Sequence, residues 1–393
     1  MQKNENKKIA LLMPSFRAGG GEKAMIQIAG GLVERGCSVD LIVMRNDGEL
    51  RSIVSDQVNI INLNTRRMIF SLPLLVLYLV KTRPLSIMAL DEYSHLIAIC
   101  ASYLTLHKTK VVLRIGNMYT ELFERYRHWK DKLLPFFIRL LYRFADHVVA
   151  VSRGVADDIT KIAGLDQKKI TVIYNPKPRS EILQKMSEPA IHPWLEQKTL
   201  PVAIAVGRLR EQKNLGLLIR AFSKIQKRVP ARLIIIGAGR DEGKLRQLIS
   251  DLNAEDYISL PGFMENPYSF MARSDLFVFP SLWEGMPNAV IEALMCGLPI
   301  IASDCDSGPR EILAPKTPYN KRIKSGYEFG EFGVLVAVND EDSFVEVVVK
   351  MFNDKKMQDT YRERTIVRSS DFDIDKHFGP YEEVLGLFQI NKN

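Results

Sequence analysis

The sequence predicts an α/β protein built from two doubly wound parallel-sheet domains. At 393 residues the chain exceeds what one ordinary core accommodates, so two domains are expected. Short apolar runs alternate with helical stretches along both halves, which is typical of parallel sheets. Glycine-containing loops follow several of these runs, and such sheets bind ligands at the carboxyl ends of their strands. We therefore expect the two domains to face a central cleft.

The first domain is predicted over residues 1–178 and begins with a strand that leads into a glycine loop. Gly19, Gly20 and Gly21 let the backbone turn sharply into a helix over 23–35 and approach a ligand closely. This loop matches neither a P-loop nor a dinucleotide-binding fingerprint, so by itself it is a weak signal. The strands of this domain are predicted over residues 8–14, 39–43, 58–63, 86–89, 110–114, 147–152 and 170–173.

A second domain is predicted over residues 200–370. Residues 179–199 are rich in Pro, Lys, Glu and Gln and have weak periodicity, which indicates a linker, and residues 371–393 predict a terminal helix. The strands of the second domain are predicted over residues 202–206, 232–236, 257–260, 276–279, 300–302 and 334–336. Its helices are predicted at about 215–227, 241–252, 266–272, 288–295, 341–353 and 355–369.

The net charge of +8 is concentrated in the first half of the chain. Residues 1–178 hold 26 Lys and Arg against 16 Asp and Glu, whereas the remainder holds 28 against 30. An anionic partner, either a membrane surface or a nucleic acid, is therefore expected at the first domain. The four cysteines lack paired spacing and favour reduced thiols in a cytoplasmic protein. The short apolar run near the N-terminus predicts a strand rather than a signal peptide.

Residues 125–144 combine basic, aromatic and aliphatic side chains on one predicted amphipathic helix. A helix that lies in a lipid interface requires this combination, which favours contact with an anionic membrane surface. The alternative is a helix packed on the sheet whose arginines reach solvent. Residues 68–80 are too few to span a bilayer and predict a buried or interfacial helix. The candidate membrane contacts are Trp129, Lys130, Lys132, Phe136, Phe137 and Arg139.

Two carboxylates bracket a strand-to-helix turn in the second domain. The apolar run 276–279 predicts a strand, a tight loop follows, and a helix starts near Asn288. The unpaired N–H groups and the positive dipole end at such a turn suit an anionic or hydroxyl-rich ligand. Glu284 and Glu292 would then accept hydrogen bonds from sugar hydroxyls. The alternative is a capped helix with two solvated acids.

Four other loops of the second domain also follow predicted strands and are expected at the same edge of the sheet. Arg208 supplies a planar fork and Lys213 a point charge, a pairing suited to a diphosphate. The loop 237–240 opens a helix and offers its backbone to a phosphate or a base. The loops 261–264 and 307–311 complete the set. Taken singly, each loop is explained by a solvated arginine or a turn glycine, but together they indicate one binding site.

These residues resemble the family-4 retaining glycosyltransferases of GT-B fold. The similarity rests on Gly207-Arg208-Leu209 with Lys213-Asn214, on Gly237 to Arg240, on Pro261-Gly262, on Glu284-Gly-Met-Pro with Glu292, and on Gly19 to Glu22. It covers essentially the whole chain. The resemblance implies two Rossmann-like domains, a last helix that crosses back to the first domain, and transfer of a sugar from a nucleotide-sugar with retention of anomeric configuration.

The resemblance also implies roles for individual residues. Arg208 and Lys213 would hold the donor diphosphate and assist the leaving group, and Glu284 would bind the donor sugar; these three form the expected catalytic set. Glu292 would bind the ribose. The chemistry is then mainly stabilisation of negative charge as it develops on the diphosphate. The other implied donor-binding positions are Gly20, Gly21, Gly207, Gly237, Gly239, Arg240, Gly262, Phe263, Gly285, Met286, Pro287 and Asn288.

One departure from the family pattern lies in the first domain. Many of these transferases carry a histidine after the strand that corresponds to 110–114, where this chain has Arg114-Ile-Gly-Asn117. Arg114 or Asn117 is therefore expected to bind the sugar or the acceptor. No metal or other cofactor is implied. Asp304-Cys-Asp306 and residues 371–375 match a D-x-D pattern, but the first lies in a turn and the second lies far in sequence from the donor motifs.

The leading hypothesis is a transferase for bacterial surface polysaccharides that is peripheral on the cytoplasmic face of the cytoplasmic membrane. Its basic first domain would bind a lipid-linked or glycan acceptor, and its second domain a UDP-sugar, with a UDP-N-acetylhexosamine favoured. One alternative is a soluble transferase that uses a donor such as GDP-mannose and a small acceptor. Another is a non-catalytic nucleotide-sugar or nucleic-acid binding protein. Nucleic acid is disfavoured because the basic and aromatic residues form an amphipathic helix instead of a stacking platform.

Overall fold

The computed structural model describes residues 8–17, 19–65, 67–106, 108–125 and 131–387. The chain divides into two compact units. Unit 1 comprises Met1–Lys177 together with Ile374–Asn393, and unit 2 comprises Pro178–Asp373. Within the described ranges, none of the helices combines the length and the apolar character needed to cross a bilayer.

Unit 1 contains one parallel sheet. Its strands are β1 (Lys8–Met13), β2 (Ser38–Val43), β3 (Asn59–Asn62), β4 (Ser86–Ala89), β5 (Lys110–Ile115), β6 (His147–Ala150) and β7 (Ile170–Val172). They lie in the order β3-β2-β1-β4-β5-β6-β7, and each neighbouring pair is parallel. The helices between them are α1 (Gly20–Glu34), α2 (Ser71–Thr82), α3 (Glu92–Leu104), α4 (Tyr119–Glu124), α5 (Leu134–Leu141) and α6 (Arg153–Ala163).

Burial explains why continuous apolar runs form these strands. The five residues from Ile9 to Met13 are fully buried, as expected for a strand whose two faces are both covered. Helix α1 buries Met25, Ile28 and Leu32, which recur at helical spacing and belong to the same core cluster as β1. Strand β1 and helix α1 therefore belong to one hydrophobic core.

Unit 2 repeats this plan with one antiparallel edge strand. Its strands are β8 (Val202–Val206), β9 (Arg232–Ile236), β10 (Ile258–Gly262), β11 (Leu276–Phe279), β12 (Ile300–Ser303), β13 (Tyr327–Phe329) and β14 (Val334–Val336). They lie in the order β10-β9-β8-β11-β12-β14-β13, and β13 alone runs antiparallel to its neighbour β14. The sequence did not predict β13, because three half-exposed residues at a sheet edge carry little apolar signal.

The helices of unit 2 begin inside the region that we predicted as a linker. Residues 179–199 contain α7 and α8, and Ile182 of α7 is fully buried in unit 2. The helices are α7 (Arg179–Met186), α8 (Pro193–Glu196), α9 (Leu215–Ile225), α10 (Glu242–Asp251), α11 (Pro267–Arg273), α12 (Asn288–Met295), α13 (Pro309–Leu313), α14 (Glu341–Asn353) and α15 (Lys355–Ser369).

The last helix, α16 (Ile374–Val384), returns to unit 1. The ring of Phe378 lies against Gly31 so closely that a Cβ atom at Gly31 would overlap it. The guanidinium of Arg35 lies 3.9 Å from the centre of the same ring and 3.0 Å from the Asp375 carboxylate. The predicted fold class is therefore confirmed: two doubly wound parallel-sheet units, with a terminal helix that packs on the first.

Candidate active site

The loops at the carboxyl edge of the unit 2 sheet are joined to one another by backbone hydrogen bonds. The N–H of Gly207 donates to Ile236 at 3.0 Å, and the N–H of Leu209 donates to Ala238 at 2.9 Å. The N–H of Gly237 donates in turn to Gly262 at 2.9 Å. The loops after β8, β9 and β10 therefore form one connected surface, as parallel strand ends permit.

Two glycines make this close approach of the loops possible. Gly237 has a φ of +152°, and a Cβ atom there would overlap the carbonyl oxygen of Gly207. A Cβ atom at Gly239 would overlap the carbonyl oxygen of Leu209. Only glycine fits where two backbones meet in this way, so the loop 237–240 is fixed against the Arg208 loop by contact as well as by hydrogen bonds.

The predicted catalytic lysine and glutamate meet directly. Lys213 Nζ lies 2.6 Å from Glu284 Oε1, and both side chains are largely buried. The same ammonium lies 4.8 Å from the centre of the Phe279 ring, which closes β11. Two hydrogen bonds tie the two loops together: the Gln212 side chain donates to the Trp283 carbonyl at 2.8 Å, and the Gln212 carbonyl accepts from the N–H of Leu282 at 2.8 Å. Residues 71 positions apart thus form one polar centre.

The other predicted cations and the loop after β10 face solvent. Arg208 and Arg240 are exposed, and Arg240 reaches the carboxylates of Glu211 and Asp241 only at 3.9 Å. Gly262 has a φ of +94°, which favours glycine, and the ring of Phe263 is 54% exposed. This edge of the sheet therefore exposes two long cationic side chains and one aromatic ring.

The loop before α12 packs against the loop after β12 and is hydrogen-bonded to it. Gly285, Met286 and Pro287 are buried, and Asn288 begins the helix. The hydroxyl of Ser307 donates to the Gly285 carbonyl at 2.7 Å. Gly308 has a φ of +91°, and a Cβ atom there would overlap the Pro287 ring. The predicted donor-binding turn is therefore rigidly supported within unit 2.

Glu292 is buried on the first turns of α12. Its Oε1 accepts a hydrogen bond from the Tyr268 hydroxyl at 3.2 Å. Burial and the nearby Glu292 charge raise the pKa of Tyr268 well above its usual value, so the phenol remains a donor. The same two causes raise the pKa of the Cys296 thiol, which stays protonated at neutral pH. The hydrogen bond from Tyr268 therefore helps to fix the position of the Glu292 carboxyl group.

A buried ion-pair network behind these loops was not predicted. Arg310 of α13 donates to Asp304 through Nε at 3.0 Å and through Nη2 at 2.7 Å, and its Nη1 lies 3.2 Å from Glu328. Asp304 also accepts from the N–H of Ile323 at 2.9 Å. This Asp belongs to the Asp304-Cys-Asp306 pattern, and no three acidic, His or Cys side chains cluster as a metal-binding group within the described ranges. The network instead fixes the turn that carries Ser307.

The predicted residues of unit 1 lie at the carboxyl edge of its own sheet. Gly20 and Gly21 are the first residues of α1, and a Cβ atom at Gly21 would lie 3.1 Å from Leu90. Arg114 is fully buried and donates through Nη2 to the Asn175 side chain at 2.5 Å. Its Nε and Nη1 have no hydrogen-bond partner in the described part of the chain. Asn117, three residues on, is exposed.

Comparisons with known proteins decide the family. Residues 18–177 match the model described as glycosyltransferase family 4, and residues 187–368 match that of glycosyl transferases group 1. An uncharacterized glycosyltransferase of Methanocaldococcus jannaschii is 32% identical over 288 residues, which span 69% of this chain and 70% of the relative. The chain belongs to the family-4 glycosyltransferases. It is a sugar-transferring enzyme, as its sequence motifs implied.

Two further similarities refine this assignment. A relative from Campylobacter jejuni is 33% identical over 238 residues, covering 61% of this chain and 59% of the relative. It is named N-acetylgalactosamine-N,N'-diacetylbacillosaminyl-diphospho-undecaprenol 4-alpha-N-acetylgalactosaminyltransferase. The crystal structure of Anabaena Alr3699/HepE in complex with UDP superposes with a TM-score of 0.79 at 20% identity, over 96% of this chain and 99% of that one. That likeness extends the agreement in fold to nearly the full length of the glycosyltransferase.

The glycosyltransferase also contains a buried aromatic network that sequence reasoning missed. His95 Nδ1 lies 2.7 Å from the Tyr142 hydroxyl and 3.2 Å from that of Tyr119, and its Nε2 lies 3.0 Å from the Ala89 carbonyl. Burial lowers the pKa of His95 to about 3, so the imidazole is neutral at physiological pH. Because the three side chains come from α3, α4 and the end of the α5 segment, no local pattern announces them.

The candidate membrane segment lies on α5 of the glycosyltransferase. Lys132, Phe136, Phe137 and Arg139 are exposed, whereas Leu134 and Ile138 on the opposite side of the helix are buried. Trp129 and Lys130 lie outside the described residues. In the described part of the helix predicted over 125–144, only Leu134–Leu141 form an α-helix, with a short 3₁₀ turn on either side, and this segment exposes apolar side chains as well as basic ones.

Proposed function

We propose that this glycosyltransferase transfers a sugar, with retention of configuration, from a UDP-sugar to a lipid-linked acceptor at the inner face of the cytoplasmic membrane. The observation that carries the proposal is the Lys213–Glu284 pair at 2.6 Å, next to the exposed Arg208 at one strand-end surface. A buried lysine and an exposed arginine at one surface suit a diphosphate, whose charge grows as the bond to the sugar breaks.

In this proposal, Lys213 and Arg208 neutralise the departing diphosphate. Glu284 holds the lysine ammonium in place and accepts hydrogen bonds from the donor sugar. Glu292, already bonded to Tyr268, accepts from the ribose hydroxyls. The acceptor hydroxyl attacks from the face that the diphosphate leaves, and its proton passes to the departing phosphate. No metal ion takes part in this sequence of events.

The relatives support the choice of substrates. The Campylobacter jejuni relative is named for N-acetylgalactosamine transfer to a diphospho-undecaprenol acceptor, and the Anabaena protein is described in complex with UDP. We therefore favour a UDP-N-acetylhexosamine as donor and a polyprenol diphosphate-linked sugar as acceptor. GDP-mannose with a small soluble acceptor is the alternative that experiments should include.

In unit 1, we propose that Asn117 contacts the acceptor or the transferred sugar. It is exposed in the loop after β5, where the resemblance to the family led us to expect a histidine. The side chain of Arg114 is fully buried, so in this proposal it positions the loop that carries Asn117 and does not contact the substrate itself. We expect Asn117→Ala to raise the KM for the acceptor while the affinity for the donor stays unchanged.

A donor panel tests the choice of nucleotide. UDP, UDP-N-acetylhexosamines, UDP-glucose and GDP-mannose are compared by thermal shift, because a ligand that binds only the folded state raises its apparent stability. We expect UDP and the UDP-N-acetylhexosamines to raise the melting temperature. A response to GDP-mannose alone would replace the UDP-sugar proposal with the alternative.

Site variants test the chemistry in a transfer assay with a detergent-dispersed polyprenol diphosphate acceptor. We expect Lys213→Ala to lower kcat by about 100-fold or more, as the loss of a transition-state donor does in other enzymes. Lys224→Ala is the matched control, since Lys224 forms exposed ion pairs with Glu341 and Asp342 in the same unit. Unchanged turnover in Lys213→Ala would refute the assignment.

A double variant separates the two roles given to Glu284. If Glu284 only positioned Lys213, the variant Lys213→Ala/Glu284→Gln would be no slower than Lys213→Ala alone. If Glu284 also binds the donor sugar, the second change lowers turnover further. We expect the double variant to turn over more slowly than Lys213→Ala.

The stereochemical outcome is tested separately. NMR of the product made by the wild type should show the same anomeric configuration as the donor.

A further inference from the structure

Unit 1 exposes a group of apolar side chains on neighbouring helices. We call it the apolar face and define it by the exposed side chains of residues 69–80, 103–106 and 133–144. Leu77 and Phe136 are each 64% exposed, and Leu106 is 79% exposed. Single exposed leucines are ordinary in proteins, but apolar side chains concentrated on several adjoining helices mark an interaction surface.

Helix α2 shows that this exposure is separate from core packing. Leu75, Tyr78 and Leu79 are buried and satisfy the inward side of the helix. Leu74 and Leu77 are exposed on the other side, at the spacing of one helical turn. The helix therefore has one apolar row for the core of unit 1 and a second row that unit 1 leaves uncovered.

Helix α5 and its flanking turns repeat the arrangement. Leu134 and Ile138 are buried, whereas Phe136, Phe137 and Leu140 are exposed. A helix that needed only a core contact would carry polar residues on its outer side. Two different helices of unit 1 thus present a second apolar row.

Helix α3 connects these two rows into one surface. It packs against both α2 and α5. At its end, the ring of Tyr103 lies 6.4 Å from the ring of Phe144, which follows α5. Leu104 and Leu106 continue the exposed apolar surface there. The exposed apolar side chains of α2 and α5 therefore lie on helices that both pack against α3.

The charged residues within the chain segments that form the apolar face are all basic. The stretches 67–83, 103–108 and 132–144 contain seven Lys and Arg but no Asp or Glu. All seven of these basic residues are exposed. On the α5 segment, Lys132, Arg139 and Arg143 recur at helical spacing and form a basic row beside the exposed phenylalanines. The face thus combines an apolar centre with a cationic rim.

We propose that the apolar face is a docking surface for an anionic lipid bilayer, with α2, α3 and α5 lying in the headgroup region. Apolar side chains entering the interface and cations meeting anionic headgroups are the two terms that hold such a surface on a membrane. A second copy of this chain fits less well, because its own cationic rim would meet the first with like charge. The inference extends the proposed function, since a lipid-linked acceptor lies in the same bilayer.

Vesicle flotation tests the proposal. The full chain is floated with phosphatidylcholine vesicles and with vesicles that also contain phosphatidylglycerol, and we expect co-flotation with the anionic vesicles. Leu77→Gln/Leu106→Gln alters only α2 and the end of α3, and Arg139→Gln/Arg143→Gln removes part of the rim. Each double variant should lower binding by about tenfold or more. The matched control is Ile191→Gln/Val367→Gln, which removes equally exposed apolar side chains from unit 2 and should bind as the wild type does.

Three outcomes would overturn the proposal: no co-flotation of the wild type, equal binding by the face variants, or concentration-dependent self-association that the face variants abolish. Thermal melts confirm that each variant is folded. Transfer to a detergent-dispersed acceptor should be unchanged in Leu77→Gln/Leu106→Gln. Loss of flotation with normal transfer therefore bears on the docking surface alone, and normal flotation without any transfer bears on the proposed function alone.

Discussion

Each unit contains a fully buried arginine, and the two arginines differ in their hydrogen-bond partners. Arg310 of unit 2 bonds to two carboxylates, Asp304 and Glu328. Arg114 of unit 1 bonds to the Asn175 amide, and two of its nitrogens have no hydrogen-bond partner among the described residues. A buried arginine with carboxylate partners is stable only while the whole group of charges is present, so removing one member destabilises the fold. A buried arginine without such partners is a candidate for a functional role.

The contrast extends to the surfaces of the two units. At its strand ends, unit 2 concentrates polar groups, with Lys213 and Glu284 paired and the loops locked by Gly237. Unit 1 keeps a neutral network around His95 inside and an apolar, cationic face outside. The same layered fold thus carries a charged site in one unit and an exposed apolar and cationic surface in the other, because side chains at strand ends and on outer helix faces are free of core packing.

The largest expected effect on stability comes from breaking the buried ion pairs of unit 2. Arg310→Met leaves Asp304 buried without its cation, and we expect the free energy of unfolding to fall by about 3–5 kcal/mol. Urea unfolding measures the change. Adding Asp304→Asn should recover part of the loss, whereas Lys316→Met, which removes an exposed pair with Glu331, should cost less than about 1 kcal/mol. Equal losses in the two single variants would show that the buried ion pairs contribute no more to stability than an exposed pair of the same unit.

A glycine in each unit provides the next comparison. Gly237→Ala forces a Cβ atom onto the Gly207 carbonyl at a φ of +152°. We expect the free energy of unfolding to fall by about 3 kcal/mol. We also expect this variant to lose donor binding. Gly164 of unit 1 ends α6 with a φ of +63° but has open space around it. Gly164→Ala should therefore cost only the backbone strain, about 1–2 kcal/mol. Calorimetric melting measures both variants.

The neutral network of unit 1 predicts a pH dependence. His95 has a pKa of about 3 in the folded protein and 6.5 when unfolded, so the unfolded state binds more protons between these values. The contribution of His95 to stability is complete above pH 6.5 and decreases towards pH 3, by about 1.4 kcal/mol per pH unit. From about pH 7 to about pH 5, wild type should therefore lose about 2 kcal/mol more than His95→Gln. Parallel slopes of stability against pH would contradict this assignment.

The smallest expected effect on stability belongs to Arg114. Because replacing a buried, incompletely paired charge by an apolar side chain is often neutral, Arg114→Met should change the free energy of unfolding by about 1 kcal/mol or less. We expect kcat/KM for the acceptor to fall by about tenfold in this variant, which corresponds to about 1.4 kcal/mol. A large loss of stability with normal kinetics would show that Arg114 is structural, like Arg310.

Some features could be predicted from the sequence because they are local. Alternating apolar runs and amphipathic stretches indicated both sheets, since strand and helix periodicity appear within a few residues. The glycine loops, Arg208, Lys213 and the Glu284 to Glu292 turn were found because each belongs to a connection that follows a strand. These features sufficed for the fold class and the enzyme family.

The remaining features depend on contacts that only the folded chain creates. Glu284 reaches Lys213 across 71 positions, and His95 reaches Tyr142 across 47. Whether an apolar residue is core or surface is likewise undecided by sequence, because Leu75 and Leu77 of α2 look alike until packing buries one and exposes the other. The sequence determined what most segments form; the tertiary structure decided which charges are paired and which apolar side chains remain exposed. The physical reason is that periodicity is read along the chain, whereas burial and pairing arise between segments.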